Sequence, residues 1–282
     1  MIEPEVHPKP MYEAYWQLRQ KPFENTADPR FYYPGESHQA ALLKLRYAVE
    51  NQRSAALLCG ASGLGKSMVI SMLRSMLGER FSPFVHLVFP QMAAEQLLAY
   101  LAAQLTGSPD GVACDTPQSV RRIEQFLAGN AQQGRHAVVV ADEAQLLGSN
   151  KTLEALRLLL NFEFDCRPGL TLVLSGQPGL IPILDRFASL EERVGVKCLL
   201  RPFSERETGE YVNCRLKLAG AAQSIFEPEA LVTLHRLTHG IPRRINRLCD
   251  LALLIGYAEQ LRSIGSSHLE SINEELVAVT PE

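Results

Sequence analysis

The chain has 282 residues, 46% of them hydrophobic and 21% charged, with a formal net charge of −3. That length and balance suit an ordinary globular protein built as one large domain or two smaller ones. They exclude a global basic field that would draw the chain to nucleic acid, although a local basic patch stays open.

Six cysteines stand far apart at positions 59, 114, 166, 198, 214 and 249, with no C-x-x-C pair. Several fall inside apolar runs, which points to buried, reduced thiols in a cytosolic protein rather than disulfides or a zinc site. The first residues, Met1-Ile-Glu-Pro-Glu-Val-His-Pro8, have neither a basic start nor an apolar stretch, so no secretory signal is expected. The longest apolar runs, such as Leu251 to Ile255, are too short to span a bilayer. A cytoplasmic protein is expected, reaching an inner membrane only through a partner.

Residues 1–35 are rich in proline and aromatics, among them Tyr12, Tyr15, Trp16, Phe23, Phe31, Tyr32 and Tyr33. They read as an irregular arm packed on the domain. Ser37 is placed to cap a helix carrying Ala40, Leu42, Leu43, Leu45, Tyr47 and Val49. Arg53 to Cys59 reads as a strand, and a helix runs from Met68 with apolar Ile70, Met72, Leu73 and Met76.

Between that strand and helix lies Gly60-Ala-Ser-Gly-Leu-Gly-Lys66-Ser67, which matches the phosphate loop G-x-x-x-x-G-K-[ST] in its proper context. Glycines let the backbone curl so that successive N–H groups face phosphate oxygens, and the helix N-terminus adds partial positive charge. Gly60, Ser62, Gly63, Leu64, Gly65, Lys66, Ser67 and Met68 are therefore the nucleotide-binding candidates. Lys66 would reach the β- and γ-phosphates of ATP, and the Ser67 hydroxyl would ligate Mg²⁺.

Phe84 to Phe89 reads as a second strand, Ala93 to Leu105 as a helix, residues 108–117 as a loop, and 118–132 as another helix. Ala137-Val-Val-Val-Ala141 is a third strand, whose β-branched run suggests burial on both faces in a parallel sheet. It ends in Asp142-Glu143, the acidic pair a phosphate loop requires. Asp142 would take the metal, directly or through water, and Glu143 would polarise the attacking water as general base. A plain helix-capping turn is the other reading of Asp-Glu after a strand. Gln145 completes Asp-Glu-Ala-Gln; helicase boxes look similar, but no other helicase signature is present, so Gln145 reads as coincidence.

Leu153 to Phe164 reads as a helix ended by Arg167-Pro-Gly169, and Leu170 to Ser175 as a fourth strand running into Gly176-Gln-Pro178. Ser175 and Gln177 compete as a polar group that orients the water and reports the γ-phosphate; a simple turn is the alternative. Leu180 to Leu190 is mostly helical, and Gly195 to Leu200 is a fifth strand. Just before it, Arg186 or Arg193 could be presented to a neighbouring subunit's nucleotide; a surface ion pair with Glu191 or Glu192 is the bland reading. This alternation specifies a parallel α/β sheet.

After Pro202 the pattern becomes all-helical, with Ser204-Glu-Arg-Glu207 as a capping box, Glu227-Pro-Glu opening a second helix and Ile241-Pro-Arg243 a third. Three or four helices are expected there. Domains fall at 1–35, 36–202 and 203–282. Arg243 could reach the phosphates and couple nucleotide state to lid angle; with Arg244, Arg247, His235, Arg236 and His239 it also reads as a basic patch for nucleic acid.

Together these motifs resemble AAA+ ATPases of the ExeA-like (general secretion pathway protein A) group. The resemblance rests on Pro22-Phe23, Asp28-Pro-Arg-Phe31, His38 to Leu45, the phosphate loop, Asp-Glu-Ala-Gln, Gly176-Gln-Pro-Gly-Leu180, Arg215-Leu-Lys-Leu-Ala-Gly220 and Gly240 to Asp250. It runs from about residue 12 to 260, and the Gly240 to Asp250 segment is its most group-specific part. The resemblance implies a five-stranded sheet in order 5-1-4-3-2, a helical lid, and rings or arcs of subunits with nucleotide at their interfaces. It makes Glu143 the catalytic base, Arg193 the finger in trans and Arg243 the lid sensor, and puts adenine near the N-terminal arm. Full-length secretion members carry a transmembrane helix and a peptidoglycan-binding domain that this chain lacks, so no direct cell-wall role is expected. The loop reads Gly-Leu-Gly-Lys-Ser instead of the usual Gly-Thr-Gly-Lys-Thr, and keeps the hydroxyl.

Three functions compete. The first is a self-assembling ATPase that assembles or regulates a bacterial secretion or export machine, through a secretion or membrane protein partner. The second is a DNA-associated ATPase in transposition target selection, disfavoured by the charge of −3 because non-specific DNA affinity rests on Lys and Arg. The third is a nucleotide-gated scaffold with little turnover, disfavoured by the intact Asp142-Glu143 pair.

Overall fold

The computed structural model describes residues 11–107, 115–147 and 150–278. The tip of the expected 108–117 loop, Cys114 and the first eight residues lie outside them. The described chain forms two compact units: residues Glu36–Ser62 with Lys66–Arg201, and residues up to Gly35 with Gly63–Gly65 and everything from Pro202 onward.

The first of these is an α/β unit. In chain order it holds α1 (Glu36–Glu50), β1 (Ala55–Cys59), α2 (Lys66–Met76), β2 (Phe84–Leu87), α3 (Ala94–Thr106), α4 (Thr116–Gln132), β3 (Ala137–Ala141) and α5 (Asn150–Leu159). There follow β4 (Glu163–Phe164), β5 (Arg167–Pro168), β6 (Leu170–Gly176), α6 (Leu180–Asp185), α7 (Ala188–Glu191) and β7 (Val194–Leu199). Five strands form a parallel sheet in order β2-β3-β6-β1-β7, which is the expected 5-1-4-3-2 read from the other edge.

β1, β3 and β6 are buried along their whole length, as their unbroken apolar runs require when helices cover both faces. One face packs Leu57, Val139 and Leu172 against Leu101, Ile123, Leu127 and Leu156 of α3, α4 and α5. The other carries α1, which packs on β1, β6 and β7. Each such leucine contributes about 1.5–3 kcal/mol by leaving water. The register pairs Cys59 with Gly176 and Ala141 with Leu174, so β1, β6 and β3 end side by side at one edge of the sheet. Open α/β sheets bind ligands at that carboxyl edge.

Four local expectations need correction. Ser37 does not cap α1, which starts at Glu36; its hydroxyl instead accepts from the Arg201 N–H at 3.2 Å. The helix expected to reach Phe164 stops at Leu159, and Glu163–Phe164 turns back on Arg167–Pro168 as a two-stranded hairpin. The second strand stops at Leu87, leaving Val88 and Phe89 exposed. Cys59, Cys198 and Cys249 are buried thiols, but Cys166 is exposed in the hairpin turn.

The other unit is helical: α8 (Glu205–Leu218), α9 (Pro228–Thr238), α10 (Pro242–Ala258) and α11 (Ser266–Ala278). The Ser204 capping box is formed in both directions, Ser204 N–H to Glu207 at 2.9 Å and Glu207 N–H to Ser204 Oγ at 3.2 Å. Gly240 has φ +67°, and a Cβ there would meet the Phe203 carbonyl oxygen at 2.0 Å, so the glycine before Ile241-Pro-Arg is a steric requirement. The N-terminal arm is bound by polar groups. Buried Arg215 donates to the carbonyls of Pro22 and Glu24, and its guanidinium lies over the Phe31 ring. Trp16 Nε1–H donates to the Leu253 carbonyl at 2.8 Å.

Candidate functional site

The phosphate loop leaves β1 at Gly60, whose N–H donates to the Gly176 carbonyl at 3.1 Å. Gly63 and Gly65 have φ +80° and +91°, a backbone conformation that side-chain-bearing residues rarely adopt. Leu64 is buried and Met68 half-buried, while Ser62 is exposed on the curl. Lys66 opens α2 and is only 6% exposed; its ammonium lies inside the curl, donating to the carbonyls of Gly60 at 2.9 Å and Ala61 at 3.3 Å. The Gly63 carbonyl accepts a hydrogen bond from the Arg243 N–H at 3.2 Å.

Asp142 is the hub of the acidic side. Its carboxylate accepts from Ser175 Oγ at 2.8 Å, Ser67 Oγ at 3.3 Å and the Glu143 N–H at 3.0 Å. His86 of β2 places Nε2 at 3.5 Å, at the outer limit of a hydrogen bond, and that buried nitrogen has no other partner among the described residues. Burial alone would raise the Asp142 carboxyl. The His86 imidazole, the Ser175 hydroxyl and the Glu143 N–H together outweigh burial and hold it below the usual carboxylate range.

Mg²⁺ prefers hard oxygens in octahedral array at about 2.1 Å, so neighbouring ligands lie about 3 Å apart. The 3.3 Å between Ser67 Oγ and Asp142 Oδ2 fits that spacing, and Mg²⁺ usually completes its shell with phosphate and water rather than a protein cage. The described residues hold no group of three His, Cys, Asp or Glu side chains able to bind a metal.

Glu143 has φ +46° and ψ +41°, left-handed backbone that is uncommon for a residue with a long side chain. Its Oε2 accepts from Gln145 Nε2 and, at 3.2 Å, from Gln177 Nε2. Gln145 Oε1 in turn accepts the Gln177 N–H at 2.9 Å. Ser175 and Gln177 thus do not compete for one place: Ser175 braces Asp142 and Gln177 reaches Glu143. The sequence reading passed over His86 and Gln145. Gln145 had a signal, since it sits two residues after Glu143, but only the fold shows which way its amide faces.

The two arginines before β7 make their bonds elsewhere. Arg193 donates to the Leu160 carbonyl at 3.0 Å and to Asn161 Oδ1, while exposed Arg186 donates to the Pro182 carbonyl at 3.2 Å. Neither pairs with Glu191, which is taken by Lys197.

A parallel sheet in this strand order, with a phosphate loop after β1, an acidic pair after β3, the next strand but one in the sheet, and a helical unit following in the chain, defines a P-loop NTPase of the AAA type. The family model for an AAA domain matches residues 49–184. The general secretion pathway protein A of Aeromonas hydrophila is 36% identical over 250 residues, covering 88% of this chain and 45% of that protein. The chain belongs to the AAA+ ATPases, in the general secretion pathway protein A group, and spans a little under half of that relative's length. Among solved structures, the Aeropyrum pernix ORC2 protein in ADPNP–ADP complexes superposes with a TM-score of 0.71 at 15% identity, over 91% of this chain and 71% of that one. The Thermotoga maritima RuvB Holliday junction branch migration motor gives 0.56 at 19%, over 86% and 67%. Identities this low show a shared fold.

Proposed function

We propose that this chain binds and hydrolyses ATP with Mg²⁺, and that it uses the cycle as a self-assembling subunit to build or regulate a bacterial secretion or export machine. One observation carries the ATPase reading: Ser67 of the phosphate loop and Ser175 of the neighbouring strand both bond the Asp142 carboxylate.

In this reading the loop N–H groups and Lys66 hold the phosphates. Ser67 and Asp142 hold Mg²⁺, which supplies charge neutralisation on the phosphate oxygens when bound. Glu143 takes a proton from water as the water oxygen bonds to the γ-phosphorus and the bond to the β–γ bridging oxygen breaks, leaving ADP and phosphate. Gln177 orients that water, and Ser175 keeps Asp142 aimed. Arg193 serves a neighbouring subunit's nucleotide after leaving Leu160 and Asn161, with Arg186 as the alternative finger. Arg243 reads the phosphates from residues 203–282, which act as the lid on the ATPase domain at 36–202. The secretion role rests on kinship with the Aeromonas protein. We place the chain in the cytoplasm, reaching a membrane through a partner, on the same kinship; among the described residues no helix is long and apolar enough to cross a membrane.

Glu143→Gln is expected to keep ATP bound while lowering turnover about 100-fold or more, and Lys66→Ala to lose ATP affinity. Unchanged single-turnover hydrolysis in Glu143→Gln would remove Glu143 as base. A second reading, DNA-associated turnover, has one observation in its favour: exposed Arg244 and Arg247 have no ion-pair partner among the described residues. DNA-stimulated hydrolysis with a steep salt dependence would favour it.

A further inference from the structure

We propose that Gln145 is a positioning residue for the catalytic base, holding Glu143 and the tip of β6 as one hydrogen-bonded unit. This inference rests on the ATPase reading above.

The Gln145 amide is used at both ends: Nε2 donates to Glu143 Oε2, and Oε1 accepts the Gln177 N–H at 2.9 Å. An amide carries a donor and an acceptor on one planar head, so one side chain serves both partners. A Glu at 145 would have no proton for Glu143, and a Lys would have no acceptor for the Gln177 N–H. The seat itself is shaped for the amide. Gly176 leaves the space, since a Cβ there would lie 2.6 Å from Gln145 Oε1.

The clasp also selects one oxygen of the base. Gln145 and Gln177 both donate to Glu143 Oε2, and among the described residues no hydrogen bond reaches Oε1. Oε1 is therefore the oxygen left to take the water's proton. The left-handed backbone of Glu143 persists only where its surroundings hold it, and the Gln145 bond is one of those holds. The side-chain hydrogen bonds of Gln145 go to Glu143 and Gln177, and among the described residues none goes to the phosphate loop, so its loss acts on turnover and not on nucleotide binding.

The test is single-turnover ATP hydrolysis and ATP-analogue binding on the full chain, for Gln145→Leu, Gln145→Glu, Gln177→Leu and the Leu double variant. Gln145→Leu is expected to lower the rate about tenfold or more with affinity within about twofold of the parent. Gln145→Glu, the same size but without the donor, is expected to lose at least as much, and carries the test if the leucine variant fails to fold. Because both amides end on one oxygen, the double variant should lose less than the product of the single losses. A Gln145→Glu rate within about twofold of the parent, or a double variant equal to that product, overturns the proposal. Glu143→Gln in the same assay separates the two levels: if it is inactive while the Gln145 variants are normal, only this inference falls; if it too is normal, Glu143 is not the base and this inference falls with that assignment; and if the parent itself hydrolyses no ATP, the ATPase reading falls.

Discussion

β3 and β6 carry a buried polar pair at each end, and the two pairs have different uses. Before β3, His136 Nε2 lies 2.8 Å from Thr171 Oγ1, and that hydroxyl donates to the Arg53 carbonyl at 2.7 Å. Roughly 20 Å along the strands, Asp142 accepts from Ser175 at 2.8 Å. Both pairs are shielded from water, and both tie the same two neighbours. The first is closed, its hydroxyl proton satisfied by backbone. The second opens onto the Ser67 hydroxyl of the phosphate loop. Buried polarity alone therefore does not mark chemistry; an ionised group with reach to a ligand-shaped backbone does.

The sharpest way to break this contrast is Asp142→Asn. Removing the charge without changing the shape should lower turnover about 100-fold or more, with little loss of stability. Retained hydrolysis would mean that the two ends do not differ in kind.

The next effect is one of stability and belongs to the opposite end. Burial, with Arg80 nearby, pushes His136 down to about 4, against an opposing backbone contact from Pro168. The folded form thus resists a proton that the unfolded chain accepts near 6.5. Stability is full above that value and is lost progressively as pH falls toward 4, by about 3 kcal/mol in all. Urea titrations between pH 7 and 4 should show the decline, and His136→Gln should reduce it. A flat profile in the parent would refute the assignment of His136 as a buried neutral group.

The smallest effects come from the hydroxyls. Thr171→Val should cost about 1–2 kcal/mol of stability and leave turnover intact, whereas Ser175→Ala should lower turnover several-fold at similar stability. Paired denaturation and rate measurements would show whether the losses divide this way.

Much of this was legible beforehand. The loop spacing and the Val138 to Val140 run specify strand, turn and strand, and with them the sheet and the positions of Lys66, Ser67 and Asp142. What escaped depends on partners far along the chain. Ser37 looked like a cap, but its hydroxyl serves Arg201. Leu159, Leu160, Phe162 and Phe164 continue an apolar pattern past the true end of α5, and the last two pack on the core from a hairpin instead. Arg193 reads as a finger in trans, with an ion pair to Glu191 or Glu192 as the bland alternative; its bonds to Leu160 and Asn161 were signalled by neither. Gln145 passed for coincidence because no propensity announces a left-handed glutamate two residues earlier.

That backbone at Glu143 has an evolutionary consequence. Glycine or asparagine would sit there more comfortably, by about 1 kcal/mol. A laboratory search for heat-resistant descendants would collect such replacements early, and each would arrive sturdier and silent. Position 143 holds an acid against the preference of its own peptide geometry, which the proposed role as base would account for.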